Sequence, residues 1–280
     1  MTLEPTLRCP CDGRFLEQAF HYEEPPEGET QFPLDGHEYV RDYDRCKACE
    51  HWFGRHKIPL ERLYEDVYVD ATYGDVDGMT ARLDRILALP PEQSDNAQRV
   101  ARVSAFADAL PRSQSEPAES PERPRVLDVG AGIGVFPAAM LTLGWEVVAV
   151  EPDPRTVQML SERLGIRAEA KDLLDLSRDD LGRFRAVTFN KVLEHVEDPA
   201  RLLAHAAEFL SDDGFCYVEV PDVAAAQAGP EQEEFFIEHH HIFSPSSLAL
   251  LGERSGLKVM RLERLVEPSG KFTVNAFFVR

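Results

Sequence analysis

The chain has 280 residues, 43% of them hydrophobic, and carries 30 Lys and Arg against 50 Asp and Glu for a formal net charge of −20. That length suits one full α/β domain plus a smaller one, and so acidic a field repels nucleic acid unless a local basic patch offsets it. No apolar run approaches the roughly 20 residues of a membrane span, and the N-terminal MTLEPTLRCPC lacks a basic stretch followed by an apolar one, so a cytoplasmic protein is expected.

Residues 1–58 hold four of the five cysteines, as Cys9-Pro-Cys11 and Cys46-Lys-Ala-Cys49, separated by the proline- and acid-rich EEPPEGET and a short β-like piece, His37 to Asp42. Two cysteine pairs flanking a loop can close a tetrahedral zinc site. Four thiolates leave no open coordination position, so the expected role is in folding. The first pair has a one-residue gap, and His51 could replace one sulfur. The alternative is free thiols or two disulfides, the latter disfavoured in a reducing cytosol.

Residues 59–110 read as a helical connecting segment. Tyr64, Tyr68 and Tyr73 recur at near-helical spacing, as in an amphipathic helix that packs aromatic rings on a core. Apolar helical patterns follow around Met79–Leu89 and Ala97–Leu110. PRSQSEPAESPERP, residues 111–124, has no large apolar side chain and reads as a linker.

From Arg125 the chain alternates strand and helix, the signature of a parallel sheet with helices on both faces. An apolar run, Val126-Leu127, ends on Asp128. Gly130, Gly132 and Gly134 follow at alternate positions, then a helical pattern through Phe136, Met140 and Leu141, closed by Gly144. A second strand, Val147 to Val150, ends on Glu151. Glycines let backbone turn tightly and approach a ligand, and an acid at the tip of the second strand can accept both hydroxyls of a ribose. The third glycine comes one residue too early for G-x-G-x-x-G, since position 135 is Val. The carboxylate of Asp128 would repel a pyrophosphate and suits a cationic ligand with an amino group, such as S-adenosylmethionine. Asp128-Val-Gly-Ala-Gly-Ile-Gly resembles the first motif of class I S-adenosylmethionine-dependent methyltransferases, and Glu151 matches their ribose-binding acid.

A helix over about Pro154–Leu164, ended by Gly165, leads to a strand, Ile166 to Ala170, and to Lys171-Asp172-Leu173. The resemblance implies that Asp172 bonds the adenine amino group and that Leu173 packs on the ring. After the strand Arg185–Asn190, the residues Asn190, Lys191, Val192 and the Glu194-His195 pair fall at the carboxyl edge of the sheet, where ligands bind. Glu-His-Val before Asp-Pro resembles methyltransferases of the ubiquinone O-methylation type. In some of those, acids here hold a divalent metal; this chain has Lys191 where they have the first acid. A helix to about Leu210 and a strand, Phe215 to Val220, come next, with Cys216 as a buried apolar residue.

An insertion then runs to Phe243 and ends in Glu238-His-His-His-Ile-Phe-Ser-Pro. A histidine there can take a proton near neutral pH, and a neighbouring carboxylate can hold its tautomer. Glu238-His239 resembles the Glu-His pair of deoxysugar C-methyltransferases, which also carry an N-terminal cysteine module and a tyrosine-rich segment. A second alignment makes His241 the active-site histidine. Ser244 caps a helix to about Ser255, and Leu257–Leu265 and Lys271–Val279 read as strands. The resemblance implies that they form a closing hairpin with the last strand antiparallel.

The expected protein is therefore α/β, a Rossmann-like seven-stranded methyltransferase sheet over residues 125–280 with a small zinc-binding module before it. It would transfer a methyl group to a small-molecule acceptor, with a sugar or sugar nucleotide as the expected class. Asp128, the three glycines, Glu151, Asp172, Leu173 and Asn190 would hold the cofactor, Cys9, Cys11, Cys46 and Cys49 the zinc. His239 or His241, with Glu238 and His195, would serve catalysis. An NAD-dependent oxidoreductase on the same sheet and a non-catalytic S-adenosylmethionine-binding protein are the alternatives.

Overall fold

The computed structural model describes residues 9–13, 15–31, 38–56, 76–111 and 123–280. Tyr64, Tyr68 and Tyr73, and all but the ends of the expected linker, lie outside the described residues. The cysteine segment folds as an antiparallel meander of β1 (Leu16–Tyr22), β2 (Arg41–Cys46) and β3 (Trp52–His56). Two helices follow, α1 (Val76–Leu87) and α2 (Asp95–Ala109). Ser94 caps α2 by accepting a hydrogen bond from Ala97 N at 3.1 Å.

The strands of the second half are β4 (Arg125–Val129), β5 (Glu146–Val150), β6 (Arg167–Glu169), β7 (Phe184–Asn190), β8 (Leu210–Pro221), β9 (His241–Ile242), β10 (Lys258–Val266) and β11 (Phe272–Val279). The helices among them are α3 (Val135–Thr142), α4 (Pro154–Leu164), the one-turn α5 (Arg178–Leu181), α6 (Pro199–Ala207) and α7 (Pro245–Arg254). Helix α4 shows how local sequence sets the ends: Asp153 accepts from Arg155 N at 2.7 Å, Pro154 opens the first turn, and Gly165 closes it in the left-handed conformation at φ 66°.

One sheet of seven strands runs in the order β10-β11-β8-β7-β4-β5-β6. β8, β7, β4, β5 and β6 are parallel, and the hairpin β10–β11 joins antiparallel, with β11 against β8. This is the expected mixed sheet. Strand β8 begins at Leu210, ahead of the expected Phe215. Its register against β7 breaks there, and Gly214 lies where a Cβ would stand 2.8 Å from the Phe184 carbonyl oxygen.

Both faces are covered, as a parallel sheet requires. Leu202 and Leu203 of α6 and Leu248 and Leu251 of α7 pack one face. Met79 and Leu83 of α1, Val100 and Val103 of α2, Phe136 and Met140 of α3, and Met159 and Leu160 of α4 pack the other. The helices of the segment expected to connect two units thus share a core with the sheet. Strand β9 leaves the sheet altogether: it pairs with β3, Trp52 opposite Ile242 and Phe53 opposite His241, and makes the cysteine meander four-stranded. Among the described residues no helix is long and apolar enough to cross a membrane.

Candidate active site

The carboxyl ends of β4 and β7 open on a cavity of about 680 Å³, within the usual range for a small-molecule site. Its floor is the glycine turn between β4 and α3. Gly130 and Gly134 have φ of 67° and 81°, and a Cβ at either would stand 2.6 Å from Val192 Cγ2 or 2.3 Å from Leu160 Cδ2. Here the glycines serve close packing of the turn on its neighbours, which leaves its backbone edge to the cavity.

Asp128 lies at the cavity wall. Its Oδ1 accepts from Thr188 Oγ1 at 2.6 Å and from Asn190 Nδ2 at 2.7 Å. Burial pushes this carboxyl up to about 7, against the pull of those donors. Asn190 Oδ1, also at the wall, is buried and makes no hydrogen bond among the described residues. An amino group needs such acceptors, so Asp128 and Asn190 fit the ammonium end of the expected cofactor.

Glu151 closes the glycine turn. Its Oε2 accepts from Gly132 N at 2.9 Å, and Oε1 from Asp153 N at 3.4 Å. A carboxylate has about four lone-pair sites, so these bonds leave acceptor capacity for two hydroxyls. Asp172 is exposed and caps a short turn by accepting from Leu174 N at 2.8 Å. Leu173 is only 1% exposed and packs in the sheet core with Leu202 and Leu203. It presents no face to an adenine ring; its half-buried neighbour Leu174 is the more accessible of the two.

Glu194, His195, Glu238 and His239 also line the cavity. A carbonyl can only accept, so the bonds from His195 Nδ1 to Glu238 O at 3.0 Å and from His239 Nδ1 to Glu234 O at 2.9 Å place a proton on each Nδ1. The Nε2 atoms then carry the lone pairs. The imidazole centroids are 4.9 Å apart. Burial lowers the pKa of both, to about 4 for His195, and neither is charged at neutral pH. Glu194 is fully buried with neither carboxylate oxygen bonded among the described residues, and burial raises it to about 8. Glu194, His195 and His239 offer ligand atoms within 4.8 Å of one another.

The two histidines expected as bases part here. His241 points away from the cavity: it is fully buried, its Nδ1 3.0 Å from His51 Nε2, and His51 Nδ1 is 3.1 Å from Ser247 Oγ. Strand β9 begins only at His241, after a bend at His240, so His239 and His241 do not share a face as residues two apart in one extended strand would, and of the two it is His239 that lines this cavity.

The sequence reading missed a buried charge cluster beside the cavity. Glu219, at the end of β8, takes a two-pronged hydrogen bond from Arg99 and single bonds from Arg102 Nη2 at 3.0 Å and Tyr217 OH at 2.6 Å. Arg99 and Arg102 are three apart on α2 and so share a face; that spacing, with an acid inside the apolar run of β8, was the available signal. Lys191 was also underestimated. It takes a left-handed backbone, φ 62°, and its Nζ donates to Thr273 Oγ1 at 2.7 Å on the cavity wall.

The four cysteines expected as metal ligands come together at the base of the small sheet. Their sulfurs lie 3.2 Å (Cys9–Cys11), 3.0 Å (Cys9–Cys49) and 3.6 Å (Cys11–Cys46) apart, all within 4.8 Å. Zinc–sulfur bonds of about 2.3 Å in a tetrahedron set sulfurs roughly 3.8 Å apart, so the group fits that ion after small outward shifts. His51 is engaged with His241 and Ser247 and is not one of the four.

The family model described as a methyltransferase domain matches residues 93–262. The ubiquinone biosynthesis O-methyltransferase of Xanthomonas axonopodis pv. citri (strain 306) is 29% identical over 154 residues, 50% of this chain and 64% of the relative. That of Xanthomonas campestris pv. campestris (strain B100) is 33% identical over 99 residues, 34% of this chain and 41% of the relative. The chain thus spans less than two thirds of the length of these curated relatives. Among solved structures, 1,6-didemethyltoxoflavin-N1-methyltransferase of Burkholderia thailandensis, bound to 1,6-didemethyltoxoflavin and S-adenosylhomocysteine, superposes with a TM-score of 0.53 at 19% identity, covering 82% of this chain and 95% of that one. Magnesium protoporphyrin IX methyltransferase of Synechocystis PCC 6803 with bound SAM gives 0.52 at 16%, covering 81% and 99%. At these identities the likeness is one of fold.

Proposed function

Because the chain belongs to the methyltransferase-domain family, a class I S-adenosylmethionine-dependent group, we propose that it methylates a small-molecule acceptor in the cavity at the carboxyl ends of β4 and β7. The observation that carries this reading is that one cavity is lined both by acceptors for an ammonium group, Asp128 and Asn190, and by the neutral imidazoles of His239 and His195. When bound, S-adenosylmethionine supplies a methyl group on a sulfonium, which departs as a thioether on direct displacement.

Every other contribution comes from the chain. Asp128 and Asn190 take the amino group, and Glu151 takes the ribose hydroxyls while it holds the glycine turn. His239 Nε2 takes the acceptor's proton as the new bond forms. Alignment of the two reactants can itself remove much of the barrier. The polar, acid-rich acceptor end, with Glu233, Glu238, Thr30 and Ser269, supports a polyhydroxylated acceptor such as a sugar, and the cysteine module gives the same narrower reading. We assign those cysteines a structural zinc. The oxidoreductase alternative loses its ground with the family match.

The test is methyl transfer from radiolabelled S-adenosylmethionine to a panel of nucleotide sugars and phenols. His239→Ala should bind S-adenosylhomocysteine like the wild type and lose turnover, while His241→Ala should retain it. Full turnover by His239→Ala removes that residue as the base. Absence of S-adenosylhomocysteine binding to the wild type by calorimetry would overturn the reading as a whole.

A further inference from the structure

The segment from Phe235 to Ile242, which carries His239, is held chiefly by the cysteine module. Arg41 Nη1 donates to Phe235 O at 2.5 Å, and Ile237 N donates to Glu29 Oε2 at 3.3 Å. Gly54 N donates to His240 O at 3.0 Å, and the next two residues are strand β9 in the module's own sheet. The buried Tyr43 hydroxyl lies 2.6 Å from His239 O and 3.0 Å from Phe236 O. A phenol has one proton, so the shorter contact is the stronger claim on it.

Three features make this grip stiff. Arg41 and Tyr43 are buried, and Arg41 is fixed by Glu29 at 2.9 Å and by the Tyr22 ring 3.9 Å from its guanidinium carbon. The Tyr43 ring packs edge-on to Phe235, with centroids 5.5 Å apart. Gly54 approaches so closely that a Cβ there would stand 3.1 Å from His239 O and 3.6 Å from Tyr43 Cε1. The module also forms part of the cavity wall itself, through Gly28 and Thr30.

We propose that Tyr43 is a positioning residue for the acceptor site: its hydroxyl fixes the His239 backbone against the cysteine module and thereby sets which imidazole edge faces the acceptor. This rests on the reading of His239 as the acceptor-facing base. The His239 imidazole is hydrogen-bonded through Nδ1 to Glu234 O at 2.9 Å, and with Tyr43 fixing the backbone carbonyl at the other end, a shift of that backbone strains or lengthens this bond and redirects Nε2. A phenylalanine at position 43 keeps the ring and its packing and removes only the bond to the carbonyl. An alanine at position 54 pushes on the same carbonyl from the strand beside it, without asking for a left-handed backbone.

The experiment uses the full chain with ¹⁵N-labelled histidine. Long-range ¹H–¹⁵N spectra at one pH report the tautomer and surroundings of each imidazole, and His239 is assigned by the signals lost in His239→Ala. The wild type should show His239 protonated at Nδ1. In Tyr43→Phe and in Gly54→Ala those signals should move by more than a line width or split into two forms, with S-adenosylhomocysteine affinity unchanged within about twofold. His239 signals that stay in place in a variant that still binds S-adenosylhomocysteine overturn the proposal. So does loss of S-adenosylhomocysteine binding in both variants, since the effect is then on the whole fold. If Tyr43→Phe does not fold, the spectra of Gly54→Ala decide between these outcomes. Failure of the base itself reads out separately, as retained turnover in His239→Ala with the spectral shifts intact.

Discussion

Glu219→Ala is the substitution whose cost follows most directly from the structure. Glu219 is fully buried and accepts from Arg99, Arg102 and Tyr217 at once. Burial would push its carboxyl up, but the Arg99 guanidinium, with Lys191 and Tyr217, outweighs that and holds it well below the usual carboxylate range. Alanine strands two guanidinium groups and a phenol. Breaking a buried pair by removing one partner costs about 3–5 kcal/mol. The arginine side chains keep 13% exposure, and Arg102 retains Glu267 at 3.3 Å, which places the loss at the lower end, about 3 kcal/mol. For a domain of this size that lowers Tm by roughly 6–12 °C. Equilibrium urea unfolding followed by tryptophan fluorescence measures it. Replacing Glu219, Arg99 and Arg102 together by Met should recover most of the loss, because apolar substitution of a whole buried ionic group is close to neutral. The folded-state pKa is depressed, so the carboxylate's stabilisation is present above the unfolded value and disappears as pH falls below about 4; the gap between wild type and variant should close there. A loss under about 1 kcal/mol at pH 7 would refute the argument. Since Asn96 and Arg99 of α2 line the cavity, S-adenosylhomocysteine affinity should fall together with stability.

Glu151→Ala removes the acceptor for Gly132 N and the proposed ribose contacts, and calorimetry should show S-adenosylhomocysteine binding weakened by roughly a hundredfold, as two charge-assisted hydrogen bonds would give; a change under threefold would discard the ribose assignment. Burial holds Asp128 at about 7, and a bound ammonium favours its ionised form. Affinity for S-adenosylhomocysteine should therefore tighten as pH rises, by roughly tenfold between pH 6 and pH 8, whereas a flat profile would separate Asp128 from the ligand. Protein purified without chelator should contain one zinc per chain by mass spectrometry, and Cys49→Ser should lose it; a metal-free wild type would end the zinc assignment. Gly134→Ala, with a methyl driven onto Leu160 from a left-handed backbone, should destabilise by about 2–3 kcal/mol in the same urea assay.

Much of the sheet could be read from the chain because its strands are short apolar runs that end at or beside the polar residues expected to hold the cofactor: Val126-Leu127 before Asp128, Val147–Val150 before Glu151, Arg185–Asn190. What escaped depended on partners distant in sequence. β9 is a two-residue strand, too short for any periodicity, and the His241 it carries meets His51 190 positions away. Glu219 reads as an anomaly in an apolar strand until Arg99 and Arg102 arrive from another element. Residues 76–109 have the pattern of amphipathic helices, but pattern does not say which sheet they cover. The run of three histidines left both His239 and His241 open, because the bend at His240 ahead of β9 makes their side chains diverge, and no strand period in the sequence marks that bend. Leu173 was assigned to a ligand by its position after Asp172, while the short turn that Asp172 caps turns it into the core.

The pairing of β3 with β9 also fixes an order of assembly. The cysteines and the three strands around them leave the ribosome first, yet the strand that completes their sheet is made some 190 residues later. At about 5–20 residues per second, that is a wait of roughly 10–40 s. Throughout it the edge of β3 offers unpaired backbone groups to any passing strand. The last element to close the small sheet is thus the one bearing the histidine run, so a nascent chain cut short before Ile242 would leave an open-edged, aggregation-prone fragment, and the part of the cavity lining that carries His239 would be assembled only once synthesis had passed it.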